Sequence, residues 1–200
     1  MFKNYYTDGR LEAGCDEAGR GCLAGPVFAA AVLFPNDFFN NEINDSKQLN
    51  HKQLTKLRTI IETHALTWAV AKIDPDEIDE LNIRNASFKA MNLAVKELKI
   101  KPACLLIDGN AFKNQTDIPY ICAVKGDATY FSIAAASILA KTSRDLYMRE
   151  LSLQFPHYKW EKNKGYPTKE HREAIKKYGI TIHHRKTFTL LQPQLNLNLK

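Results

Sequence analysis

Four acids in this sequence stand where short apolar runs end, and each has glycine close by. Asp16 and Glu17 lie between Gly14 and Gly19, Asp108 precedes Gly109, and Asp127 follows Gly126. Glycine lets the backbone turn sharply and leaves room for a ligand. Acids at the ends of neighbouring strands converge in one cleft. Carboxylates that close repel one another and need a proton or a cation. Carboxylate oxygens suit hard ions such as Mg²⁺ or Mn²⁺. Two such ions about 3.5–4 Å apart activate water and stabilise the leaving oxygen of a phosphodiester. Metal-dependent phosphodiester hydrolysis is the chemistry this set could do.

Each piece also has a plainer reading. Asp108-Gly109 is an ordinary turn signal. Asp127 could cap the helix that follows. Asp16-Glu17, in a segment of small apolar residues, is harder to explain that way. Adjacent strand residues point to opposite faces. Asp16 and Glu17 share a site only if the backbone bends there or a main-chain carbonyl takes part.

The charge distribution points to a partner for such a site. The net charge is +6, but residues 1–140 carry −2 and residues 141–200 carry +8. A basic C-terminal part suits a polyanion, nucleic acid first, and also reads as a solvated face. Lys141, Arg144, Lys162, Lys164, Arg185 and Lys186 are candidates for phosphate contacts, which give salt-dependent affinity with little sequence preference.

The elements that must position these residues follow from periodicity. Gly14 to Phe34 reads as two strands with Gly19-Arg20-Gly21 as the bend. Leu54, Leu57, Ile60 and Ile61 mark a helix over 51–66. Thr67 to Ile73 reads as a strand, and Pro75 opens a short acidic helix. A helix is expected over 85–98, a strand buried on both faces over 103–107, and a strand over 120–124. A long helix should run from Tyr130 to about Leu153, and another from Lys169 to Tyr178 with Gly179 as its stop. Strands that alternate with helices after an antiparallel start predict an α/β fold with a mixed sheet.

Composition narrows the class. The chain has 200 residues, 44% hydrophobic and 25% charged, which excludes a disordered chain or a coiled coil. No apolar run reaches the roughly 18–20 residues of a membrane span. The first residues lack the apolar core of a signal peptide. Cys15, Cys22, Cys104 and Cys122 fit neither a zinc pair nor a dense disulfide framework. Cys104 and Cys122 lie in apolar runs and read as small buried hydrophobes. A cytoplasmic, reducing location without membrane attachment is the expectation.

Several blocks carry a family resemblance. Residues 14–27, read Gly-Cys-Asp-Glu-Ala-Gly-Arg-Gly-Cys-Leu-Ala-Gly-Pro-Val, resemble the N-terminal signature of ribonuclease HII. Asp45-Ser46-Lys47-Gln48-Leu49, Ile107-Asp108-Gly109 and Lys125-Gly126-Asp127-Ala128 continue it, as do Ala134 to Lys141 and Arg144-Asp145. Asn163 to Thr168, His171 and His184 to Phe188 complete it in family order. The chain is too short for the extra N-terminal domain of the related ribonuclease HIII.

The resemblance implies an RNase H-like catalytic domain over 1–155: an α/β fold with a mixed five-stranded sheet flanked by helices. It also implies a small helical extension over 156–200 that contacts nucleic acid, the two forming one compact unit. It implies endonucleolytic cleavage of RNA in RNA–DNA hybrids, and incision 5′ of single ribonucleotides in duplex DNA. The products would carry 5′-phosphate and 3′-hydroxyl ends. Asp16, Glu17, Asp108 and Asp127 match the family's catalytic metal-binding acids, for two Mn²⁺ or Mg²⁺ ions. Gly19, Arg20, Gly21 and Tyr166 match the elements that sense the ribose 2′-hydroxyl. The family pattern commonly has glycine where this chain has Pro167, which should hold Tyr166 more rigidly.

Other residues weigh differently. Tyr166 alone would read as a surface tyrosine packing its own loop, and Ser46 as the start of a helix. Ser46 and Lys47 also suit phosphate binding as a donor and a point charge. His184 could support the site, though a structural place fits a single histidine better. Gln194-Leu195-Asn196-Leu197 loosely resembles a peptide that docks partners on the sliding clamp. A monomer is expected. The rival readings are a metal-dependent nuclease without ribose preference and a non-catalytic RNA–DNA binding module.

Overall fold

A computed structural model describes residues 3–7, 9–40, 42–43 and 50–191. Ser46, Lys47 and the tail motif 194–197 lie outside the described residues. Five strands form one sheet: β1 (Glu12–Ala18), β2 (Val27–Leu33), β3 (Thr67–Ile73), β4 (Cys104–Asp108) and β5 (Tyr120–Ala123). Their order is β3-β2-β1-β4-β5. The first three pair antiparallel, while β1–β4 and β4–β5 pair parallel, so the sheet is mixed as expected.

Helices cover both faces: α1 (His51–His64), α2 (Pro75–Leu81), α3 (Ile83–Lys96) and α4 (Phe131–Gln154). Two small helices, α5 (Trp160–Asn163) and α6 (Lys169–Tyr178), follow. Local chemistry sets several ends. Asn50 and Gln53 form a reciprocal capping box at α1. Pro75 occupies the first turn of α2, where its missing N–H costs nothing. α3 starts two residues earlier than its apolar spacing suggested, because the Asn82 side chain accepts from Asn85 N–H at 3.1 Å.

The sheet alternates its side chains between two cores. Ala13, Cys15, Val27, Ala29, Ala31, Leu105 and Ile107 face α3. Ala30 and Val32 face α1 and α4, against Leu54, Leu57, Ile61 and Ile138. Full burial of each large aliphatic side chain stabilises the fold by about 1.5–3 kcal/mol. The period of two therefore directs Gly14, Asp16, Leu106 and Asp108 to the α4 face. There α4 approaches unusually closely: a Cβ added to Gly14 would stand 2.1 Å from the carbonyl carbon of Ser132. The small residues Ala134, Ala135 and Ala136 suit that approach and are fully buried.

The C-terminal elements have a cluster of their own. Tyr158, Trp160, Ala174 and Ile175 pack with Met148 and Leu151 of α4 and with Leu23 and Ala24. Cys104 is buried, while Cys122 is half-buried; all four cysteines are free. Among the described residues no helix is long and apolar enough to cross a membrane.

Candidate active site

The parallel pairing of β1 and β4 brings two acids together. Cys15 and Ile107 are their last registered pair, and Asp16 and Asp108 come next on each strand. Asp127 arrives from the 3-10 turn Gly126–Ala128 that follows β5. One oxygen each from Asp16, Asp108 and Asp127 lies within 4.8 Å of the others. Main-chain amides fix the middle acid: Asp108 Oδ1 accepts from Gly126 N–H at 2.8 Å and from Asp127 N–H at 3.4 Å. Asp127 lies in this turn, and the cap residue of α4 is Tyr130. The helix-cap reading of Asp127 therefore does not hold.

Electrostatics make the cluster ask for a cation. Burial pushes the Asp16 carboxyl well above the usual carboxylate range, and the Glu17 and Asp108 charges push the same way. Hydrogen bonds from Ser137 and from Glu17 N–H oppose this only in part. Burial likewise raises Glu17, against the pull of Arg20. Glu17 Oε1 receives Arg20 Nη1 at 2.8 Å, while Glu17 Oε2 is buried with no hydrogen-bond partner. An all-oxygen set with repelling charges and an orphaned carboxylate oxygen fits a hard divalent ion.

Asp16, Glu17 and Asp108 line a cleft of about 570 Å³. Gly19, Ser137, Lys141, Arg144 and Tyr166 line it with them. Gly19 has φ +93°, and a Cβ there would stand 2.1 Å from Arg144 Nε. Both its turn and its neighbour require glycine. The Tyr166 ring is 44% exposed, with the Arg144 guanidinium 5.8 Å from its centre.

A family model for ribonuclease HII matches residues 13–191. The chain belongs to the ribonuclease HII family. Ribonuclease HII of Parabacteroides distasonis is 61% identical over 197 residues, covering 98% of this chain and 99% of that protein. Ribonuclease H2 from Pyrococcus horikoshii shares the fold with a TM-score of 0.77 at 26% identity, over 90% of this chain and 94% of that one. The RNase HII of Archaeoglobus fulgidus, solved in complex with PCNA, matches with a TM-score of 0.76 at 25% identity, over 92% and 98% of the chains. As a ribonuclease HII, the chain is a ribonuclease H enzyme, of a family that cleaves RNA in RNA–DNA hybrids and depends on divalent metal.

Against that background the expected site residues divide. Glu17 lines the cleft but stays outside the three-carboxylate cluster, as strand alternation dictates after Asp16. Arg20 is exposed and pairs with Glu17. Gly21 stands in the same turn, exposed. Lys141 lines the cleft, 3.4 Å from Asp145. Lys164 is half-buried, its ammonium donating to Glu161 O at 2.7 Å.

Two arginines expected to contact phosphate hold their guanidinium groups against loop carbonyls, although Arg144 also lines the cleft. Arg144 is 2% exposed and donates to the carbonyls of Pro26, Ala24 and Lys164 at 2.8–3.0 Å. Arg185 is 0% exposed and donates to the Gly25 carbonyl twice and to the Arg20 carbonyl. Their planar forks gather loop carbonyls, which a sequence reading of positive charge cannot distinguish from gathering phosphates. His184 is buried and packs against the Tyr158 and Trp160 rings.

For three residues the sequence reading assigned no role, although Ser137 and His171 lie in the resembling blocks. Ser137, a polar residue within an alanine-rich buried run, hydrogen-bonds Asp16 and lines the cleft. That polar interruption was the available signal. Trp160 and His171 join behind Tyr166 through a hydrogen bond across eleven residues, for which the sequence carries no signal.

Proposed function

We propose that this ribonuclease HII hydrolyses the RNA strand of RNA–DNA hybrids endonucleolytically and also incises 5′ of single ribonucleotides embedded in duplex DNA. The products carry 5′-phosphate and 3′-hydroxyl ends. The observation that carries the reading is one cleft lined both by acids of the carboxylate cluster, Asp16 and Asp108, and by Gly19 and Tyr166. Cutting chemistry and ribose sensing then act on one bound strand.

Asp16, Asp108 and Asp127, with Glu17, are the residues that would hold two Mn²⁺ or Mg²⁺ ions. When bound, such ions activate water and stabilise a departing 3′-oxygen. Asp16 and Asp108 suit shared ligation, since they follow the last registered pair of two adjacent parallel strands. Ser137 orients Asp16, and Arg20 holds Glu17. Tyr166 packs on the ribose, and its hydroxyl reads the 2′-hydroxyl, the group that separates RNA from DNA locally. By the family resemblance, the Gly19-Arg20-Gly21 backbone reads it as well. Lys141, which lines the cleft, neutralises phosphate there, Lys164 is assigned to phosphate on the family resemblance, and the 156–200 extension contacts the duplex. Ser46 and Lys47 are assigned to phosphate binding on the family resemblance alone. The 2′-hydroxyl is a recognition group and not the attacker, so no 2′,3′-cyclic phosphate forms.

End-labelled duplex DNA with one embedded ribonucleotide tests this reading, with all-DNA duplex as control. A single Mg²⁺- or Mn²⁺-dependent cut on the 5′ side of the ribonucleotide supports it. Equal cutting of the all-DNA duplex, or a cyclic product, overturns it. Clamp docking by Gln194–Leu197 is a separate proposal, made on the loose resemblance of that tail to a clamp-docking peptide; the archaeal relative was solved in complex with PCNA. Clamp retention that survives deletion of 193–200 would sink it.

A further inference from the structure

Behind the Tyr166 ring lies a relay of buried polar groups that takes no part in the carboxylate cluster. The indole Nε1–H of Trp160 donates to Nε2 of His171 at 3.0 Å. Nδ1 of His171 lies 3.0 Å from the main-chain carbonyl oxygen of Tyr166. An indole nitrogen only donates, and a carbonyl oxygen only accepts. Nε2 must therefore be bare, and Nδ1 must carry the proton. The ring is the neutral Nδ1–H tautomer, donating to Tyr166. Trp160 and His171 are both fully buried, and burial lowers the histidine pKa, which keeps the ring neutral.

The rest of the loop is held from the same inner side. The Tyr166 carbonyl also accepts from Thr168 N–H at 2.8 Å, and Tyr166 N–H donates to the Asn163 carbonyl at 2.8 Å. The Asn163 side chain donates to the Tyr158 carbonyl at 2.7 Å and accepts from Gly165 N–H at 2.8 Å. The inner edge of the peptide is thus fully engaged, while the ring on its outer edge lines the cleft.

We propose that His171 is a positioning residue for Tyr166. Its Nδ1–H fixes the peptide from which the tyrosine ring projects, and Trp160 selects the tautomer that can do so. The proposal rests on Tyr166 sensing the ribose 2′-hydroxyl. Ribonucleotide selectivity then depends on a histidine that never touches the substrate.

Two substitutions separate the ring's two bonds. His171→Asn keeps a donor near the place of Nδ1 and loses the acceptor for Trp160. His171→Gln keeps an acceptor near Nε2 and loses the donor to Tyr166. The expected result is that His171→Gln lowers kcat/KM about tenfold on duplex with one ribonucleotide, the equivalent of one lost hydrogen bond to a buried carbonyl. His171→Asn recovers most of that loss at comparable melting temperature. In a Tyr166→Phe background, His171→Gln adds nothing further, whereas a purely structural role multiplies the two effects.

Equal losses in the Asn and Gln variants, or multiplying effects, overturn the proposal. Impaired Tyr166→Phe beside a wild-type His171→Gln overturns it alone and leaves the reading of Tyr166 standing. Wild-type cleavage by Tyr166→Phe overturns that reading and this proposal together. Nitrogen NMR of the wild-type ring needs no variant to fold. It must report Nδ1–H, and Nε2–H or imidazolium at neutral pH overturns the assignment.

Discussion

Asp16 and Asp108 meet because each stands one residue beyond Cys15 and Ile107, the last registered pair of two parallel strands. Neither acid is near the other in sequence. Register places them level, and alternation turns both toward α4. The cluster is thus built from strand geometry, with Asp127 added by a turn whose amides hold Asp108.

Asp108→Asn tests whether that cluster serves catalysis at a cost in stability. Asparagine keeps the oxygen that accepts from Gly126 and Asp127 but removes a charge beside Asp16. Activity should fall by about 10²–10³-fold or more. In chelator, the melting temperature should stay level or rise, since repulsion is relieved. Mg²⁺ or Mn²⁺ should raise the melting temperature of wild type more than that of the variant. Calorimetry with and without metal checks both; a variant clearly less stable in chelator would contradict the repulsion argument.

Gly14→Ala should be among the most damaging small substitutions in the chain. The added carbon meets the backbone of Ser132 and Ile133 at 2.1–2.4 Å, and backbone in a packed helix cannot step aside alone. Overpacking of this kind costs about 1–3 kcal/mol or more. Each kcal/mol lowers the melting point of a chain this size by about 2–4 °C. Moving α4 also shifts Ser137 from Asp16, so activity should fall beyond the loss in folded protein, as active-site titration against circular dichroism would reveal.

Arg144 and Lys141 should separate cleanly in salt titrations. Lys141→Ala removes a candidate phosphate contact and should lower the slope of log affinity against log salt by about one. Arg144→Met strands three carbonyls, and leaving buried acceptors unpaired costs about 1–3 kcal/mol each. It should therefore lower thermal stability while the folded fraction keeps its salt slope. A reduced slope with intact stability would restore Arg144 to the phosphate contacts.

Acid should loosen the C-terminal cluster through His184. Burial, with His171 and His183 beside it, lowers its pKa from 6.5 to about 4. The unfolded chain then binds the proton more readily than the native one. This contribution to stability is complete above pH 6.5 and is lost as pH falls toward 4, by up to about 3 kcal/mol. The raised carboxyls of Asp16 and Glu17 act in the opposite sense, so the comparison needs a variant. His184→Asn keeps an acceptor for Thr181 N–H without titrating in this window. Urea unfolding across this range should show a smaller acid loss in the variant; parallel curves would contradict the assignment.

Much of the architecture is legible in the amino-acid sequence. β3 and α6 fall where periodicity and the Gly179 stop put them, and α2 begins at Pro75. Propensity and capping are local, so the local sequence carries them. The start of α3 was misplaced because Asn82, with φ 65°, caps from a conformation that apolar spacing does not encode. Asp16, Asp108 and Asp127 were legible together, since each alone has a plainer reading but three acids at the ends of separate apolar runs point to one cluster.

The sequence by itself determined the family, the acid set and the order of elements, because short motifs and periodicity depend on neighbours along the chain. Only the tertiary structure decided which cations are committed to the fold. Arg144 and Arg185 carry the same charge as Lys141, yet both are buried with their guanidinium groups on loop carbonyls, even though Arg144 lines the same cleft as Lys141. The link from Trp160 through His171 to Tyr166 was equally invisible, since side-chain hydrogen bonds across a fold leave no period in the chain.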